Sequence, residues 1–112
     1  MKSSLKRYLE YLDSDEEFIL KTRITRMWND NDYILFREII DNVIKDYKGE
    51  ALFPISIVYL FISGIDHLIN LISNPSFYSG TDDDYRLLIQ KRIIELNNLK
   101  KSFMSGELLY ID

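Results

Sequence analysis

The chain has no cysteine, so neither a disulfide nor a thiolate nucleophile nor a thiolate metal site enters its fold or chemistry. It has one histidine, His67, too few for the multiple nitrogen ligands that zinc sites and metal-dependent hydrolases use. Its four glycines never form a run, which leaves no phosphate-cradling loop and no support for nucleotide binding. Long hydrophobic runs are absent too. The longest charge-free stretch, Ala51 to Ile65, has 15 residues, and Asp66 and His67 interrupt it. Spanning a bilayer takes ~20 residues, so a buried core helix is expected here and no membrane association. Near the N-terminus, Glu10 and Asp13 break up the apolar residues that follow Lys2, Lys6 and Arg7, so no secretory leader is expected.

What is present suits one ordinary domain. With 112 residues, 46% hydrophobic and 29% charged, the chain can bury a sizeable core and is unlike disordered sequences. The expectation is a single helical domain over residues 1–112.

Apolar spacing predicts an all-α fold of about five helices. The first runs from about Ser4 to Leu12, with Leu5, Tyr8, Leu9 and Leu12 on one face. Ser14-Asp15-Glu16-Glu17 reads as a capping box opening a second helix to about Asn29, carrying Phe18, Ile19, Ile24, Met27 and Trp28. Asn29 to Asp32 is a turn and new N-cap. The third helix follows, with Phe36, Ile39, Ile40, Val43, Ile44 and Tyr47 inward, and Gly49 after its end. Pro54 suits the first position of a fourth helix, about 54–73, which is apolar nearly all round and is expected at the centre. A buried strand at Ile55–Ile62 is the alternative, but the pattern continues past Gly64 without turn residues. Asn74 to Gly80 is a loop. Thr81 with Asp84 opens a fifth helix that Gly106 stops near Ser105, with Leu88, Leu96, Leu99 and Phe103 as its stripe. The apolar tail Leu108-Leu109-Tyr110-Ile111 is expected to pack on the body.

Charge is unevenly spread along the chain. Between Met27 and Tyr85 there are ten acidic residues against three basic ones, a formal −7, while the flanks are slightly positive. Such a field selects partners by encounter and says little about fold. Overall acidity opposes phosphate approach. The bases of the last helix (Arg86, Lys91, Arg92, Lys100, Lys101) scatter around it, so no direct nucleic-acid contact is expected.

Catalysis has little to build on. His67 follows Asp66, and adjacent helical residues do not face each other; a partly buried core histidine is expected. No glycine pattern of a nucleophile elbow accompanies any serine. Asp82-Asp83-Asp84 diverge and lack calcium-loop spacing, so they read as dipole-complementing acids or as a partner contact, not a metal site. Enzymatic activity, metal and cofactor are not expected. Arg92 and Asp66, each inside an apolar stripe, are expected to pair with each other or with other partners, or to reach out to solvent.

Eight tyrosines are many for this length, and several adjoin acids. Tyrosine is enriched at interfaces because it joins rigid apolar area to a hydroxyl. The partner-binding candidates are therefore Phe77, Tyr78, Asp82, Asp83, Asp84 and Tyr85, together with Asp30, Asp32 and Tyr33.

On the segments Asn29–Tyr33 and Ser76–Tyr85, and in overall character, the chain resembles bacterial toxin-immunity proteins, especially the helical ones of contact-dependent growth inhibition systems. Helical colicin immunity proteins use an acidic helix with a tyrosine pair followed by proline. This chain has Phe77-Tyr78 with Pro75 before it, a departure from that pattern. The resemblance implies a cytoplasmic inhibitor, a monomer or weak dimer. It would bind a cognate toxin domain with a basic surface, a nuclease, and occlude its cleft. The alternative is a helical adaptor or regulatory subunit that binds a protein partner or homodimerises.

Overall fold

The computed structural model describes residues 1–78 and 82–110. Among these there is no strand, and the chain folds into a single all-α unit of five helices.

Helix α1 (Ser3–Leu12) buries Tyr8 and Tyr11. Tyr11 takes the inward place expected of Leu12, because its hydroxyl accepts from the Phe18 amide at 2.8 Å and so fixes the next turn. Ser14 does not cap the second helix. Its hydroxyl donates to the Tyr11 carbonyl at 2.7 Å and closes α1 instead. Helix α2 (Phe18–Thr25) is capped by Glu17, whose carboxylate accepts from the amides of Ile19 (3.1 Å) and Leu20 (2.7 Å). Glu17 thereby satisfies two of the amides that a helix start leaves unpaired. The helix also ends earlier than the pattern suggests. Arg26 adopts a left-handed conformation (φ 57°), unusual for a residue with a side chain. This reversal turns Trp28 back onto Phe18, edge to face at 5.0 Å.

Helix α3 (Asp30–Tyr47) starts as expected, with Asn29 accepting from the Asp32 amide at 3.1 Å. Its inward stripe also matches, with Tyr33 added. Gly49 takes a positive φ of 85°, and its amide donates to the Leu109 carbonyl at 2.7 Å. That bond ties the tail to the end of α3. Leu108 and Leu109 pack on the core and Tyr110 is exposed; Ile111 lies outside the described residues.

Helix α4 spans Ile55–Ser73. Pro54 is its N-cap, one place earlier than expected. The helix is continuous but contains a π turn at Leu60–Gly64, where the Ile65 amide reaches back five residues to the Leu60 carbonyl. By length and composition α4 could cross a bilayer, with mean hydropathy 1.8. In the folded chain one of its faces is the core: Ile57, Leu60, Phe61, Ile65, Leu68 and Ile72 are buried. The all-round cover expected of a central helix is not found. Ile55, Tyr59 and Ile62 stand in solvent, because no helix among the described residues lies over that side.

A short 3₁₀ turn (Pro75–Tyr78) leads towards helix α5 (Asp83–Met104). Asp82 caps α5 by accepting from the Tyr85 amide at 2.8 Å. Thr81, the expected cap, lies outside the described residues. Ile89, Leu96 and Phe103 of α5 are buried, and Phe103 stacks flat on Phe61 at 4.0 Å. Helix α1 packs on α3, α2 on α3 and α4, and the second half of α4 on α5.

Candidate functional site

The aromatic candidates turn inward. Phe77 is 3% exposed and Tyr33 1% exposed, so both belong to the core. Tyr85 is half-buried, and its hydroxyl accepts from the Trp28 amide at 2.5 Å. This bond pins the start of α5 to the loop after α2. The Tyr78 side chain lies outside the described residues.

Most acids between Met27 and Tyr85 are paired with cations, which come from other parts of the chain except at Asp41, whose partner Arg37 is one turn away on α3. Asp30 receives Arg92 through two hydrogen bonds, at 2.9 and 2.8 Å, and the Trp28 indole at 3.1 Å. The Arg92 guanidinium therefore holds the Asp30 carboxyl below its ordinary range, against the opposing effect of burial. Arg92 also binds Glu95 at 3.0 Å and lies over the Tyr33 ring, 4.9 Å from its centroid. The Tyr33 hydroxyl donates to Glu95 at 2.9 Å and accepts from Arg37 at 3.1 Å. Burial pushes that hydroxyl up to about 12. Asp32 pairs with Lys21, Glu38 with Arg7, Asp41 with Arg37 and Glu50 with Lys2.

Asp66 and Arg92 do not pair with each other. Asp66 meets Lys100 at 2.6 Å and Arg92 meets Asp30, so each finds a partner on a different helix. The linear −7 is thus not a spatial −7. Asp82, Asp83 and Asp84 are exposed, and among the described residues they form no ion pair. Met27, one residue before the Trp28–Tyr85 joint, is also exposed.

A second feature was not singled out from the sequence. A groove of about 500 Å³ lies between α1, α2 and the first two thirds of α4. Tyr8 and Leu12 of α1, Ile19, Leu20 and Arg23 of α2, and Ile55, Ser56, Tyr59, Leu60, Gly64 and His67 of α4 line it, with Glu17 at the start of α2. A Cβ added at Gly64 would sit 3.0 Å from Leu60 Cδ1 of its own helix and in ordinary contact, 3.5 Å, with Ile19 Cδ1. Arg26 donates to the Ser76 hydroxyl at 3.2 Å, so α2 and the second half of α4 run side by side in one direction. His67 is exposed at the groove, not part of the core as expected. The volume falls in the range of ligand sites. The signal available in sequence was the excess of apolar residues around α4, more than one buried face needs. Among the described residues no group of three or more His, Asp or Glu side chains is placed to hold a metal ion.

Comparison with protein-family models, curated proteins and solved structures returns no match.

Proposed function

We propose that the chain is an immunity-type binding protein: it binds a cognate bacterial toxin domain, a nuclease with a basic cleft, in the cytoplasm and blocks it without chemistry of its own. The observation that carries this is the first turn of α5. There three exposed aspartates form no ion pair among the described residues, while most other acids between Met27 and Tyr85 are paired. Charge at a rim speeds encounter with an opposite field. Tyr33 and Phe77 belong to the core, Tyr85 joins the start of α5 to Trp28, and Asp30 and Asp32 are held in ion pairs.

The test is kinetic. Replacing Asp82, Asp83 and Asp84 together by asparagine keeps a competent N-cap and removes the charge. Association with the toxin domain encoded beside this chain should slow in the variant and lose its salt dependence, with the melting temperature nearly unchanged. Wild-type association by the variant would place the contact elsewhere; no binding by the wild type would remove the proposal.

A further inference from the structure

We propose that the α1–α2–α4 groove binds one amphipathic helix of a partner protein, an acidic side chain of that helix lying over Arg23 and His67. This goes beyond the toxin-blocking proposal and uses none of Asp82, Asp83 and Asp84.

Size and shape come first. From Ile55 to His67 the groove follows α4 for about 18 Å, at 1.5 Å per residue, the length of about three turns of a second helix. Its apolar surface is not confined to the floor. Ile55 is 85% exposed and Tyr59 64% exposed, and both stand as lips above Leu60. A small ligand on the floor would leave these lips in water. A helix laid along the groove covers lips and floor together, as helix-in-groove recognition does. The π turn supplies the floor residues Leu60 and Gly64, and π turns inside α-helices concentrate at functional sites.

Charge complementarity selects the partner. Lys21, on the same helix, is held by Glu16 and Asp32 at 2.9 Å each. Arg23 forms no ion pair among the described residues, and exposed His67 also lines the groove. The groove's single acid, Glu17, spends both oxygens on the amides of its own helix. The rim therefore offers the Arg23 guanidinium as a cation unpaired among the described residues, with the His67 imidazole as a further hydrogen-bonding group, and calls for an acid. A second copy of this chain would bring no free groove acid to meet them.

The experiment pans displayed 16-residue peptides against the intact chain at neutral pH. Affinities are then read by fluorescence anisotropy, with dodecanoate as competitor and sedimentation as the check on mass. The expected peptides carry apolar residues at i, i+3 or i+4 and i+7, with Asp or Glu about one turn beyond. Tyr59→Ser should weaken them about 30-fold, as loss of an aromatic anchor does. Arg23→Glu should weaken them about tenfold and shift selection towards Lys. Ile55→Ser gives a second reading of the lip should Tyr59→Ser perturb folding. Peptides indifferent to all three substitutions would overturn the proposal. So would displacement by dodecanoate with a one-to-one footprint on the floor alone, which would assign the groove to a small amphiphilic acid. A stable dimer dissociated by Ile55→Ser would assign it to a second copy and overturn it equally.

Discussion

On one side of α2, Phe18 and Thr22 are buried, and Trp28, Tyr33 and Phe36 close over the Phe18 ring at centroid distances of 5.0, 5.9 and 5.3 Å. On the other side, Ile19, Leu20 and Arg23 face an open groove. The two sides are similarly apolar in sequence, so hydrophobicity alone does not decide which is covered. Geometry decides it. The left-handed turn at Arg26 swings Trp28 over the first side, and Arg92 arrives from α5 to neutralise Asp30 beneath it. Among the described residues no element crosses the second side. The closed side is held by rings plus a connected polar network, and the open side keeps apolar area available for something outside the chain.

Substitutions in the covered core should cost most. Phe61→Ala removes a fully buried ring stacked on Phe103 and should destabilise by ~3–5 kcal/mol in denaturant unfolding. A cost near zero would mean that α4 has no packed face. Arg92→Met leaves Asp30 and Glu95 without their cation. The pair is partly solvated, with side chains 16% and 27% exposed, so about 1–3 kcal/mol is expected, less than for a fully buried pair.

The acid limb sharpens this second case. The Asp30 carboxyl is held below its ordinary value of 3.8. The unfolded chain therefore takes up that proton at a higher pH than the folded chain does. Stability from the pair is complete above the ordinary carboxylate range and is lost as pH falls through the depressed folded value. Arg92→Met should flatten this part of the stability–pH curve; an unchanged acid limb would show that the pair does not titrate with folding.

Tyr85→Phe removes the acceptor for the Trp28 amide and should cost about 1 kcal/mol, together with faster amide exchange at Trp28. Unchanged exchange would mean that water serves that amide as well as the tyrosine does.

Much of the fold was legible because it rests on local rules. The stripe of α3, the Asn29 cap, the stops at Gly49 and Gly106 and the continuity of α4 past Gly64 follow from periodicity and terminus chemistry. The misses are places where another partner, near or far along the chain, overrode the expected one. Ser14 looks like an N-cap but is taken by the Tyr11 carbonyl, and Glu17 replaces it. Arg92 and Asp66 each stood out as charges within apolar stripes, yet pairwise matching needed Asp30 and Lys100, 62 and 34 positions away. The candidate site suffered most. Acid-flanked tyrosines read as surface, but Tyr33 turns inward because its ring fills the space under Trp28 at 5.2 Å and its hydroxyl finds Glu95 and Arg37. The groove was hidden because an apolar helix does not announce which of its faces remains uncovered.

The contrast between covered and open apolar surface is tested most directly by unfolding the Ile55→Ser/Tyr59→Ser double variant in denaturant beside the wild type. If these side chains are lips of an open groove, the unfolding free energy should stay within ~0.5 kcal/mol of wild type, as for surface positions away from special features. A loss of ~2 kcal/mol or more, of the size seen when buried side chains are truncated, would show that both belong to the core and would contradict the account.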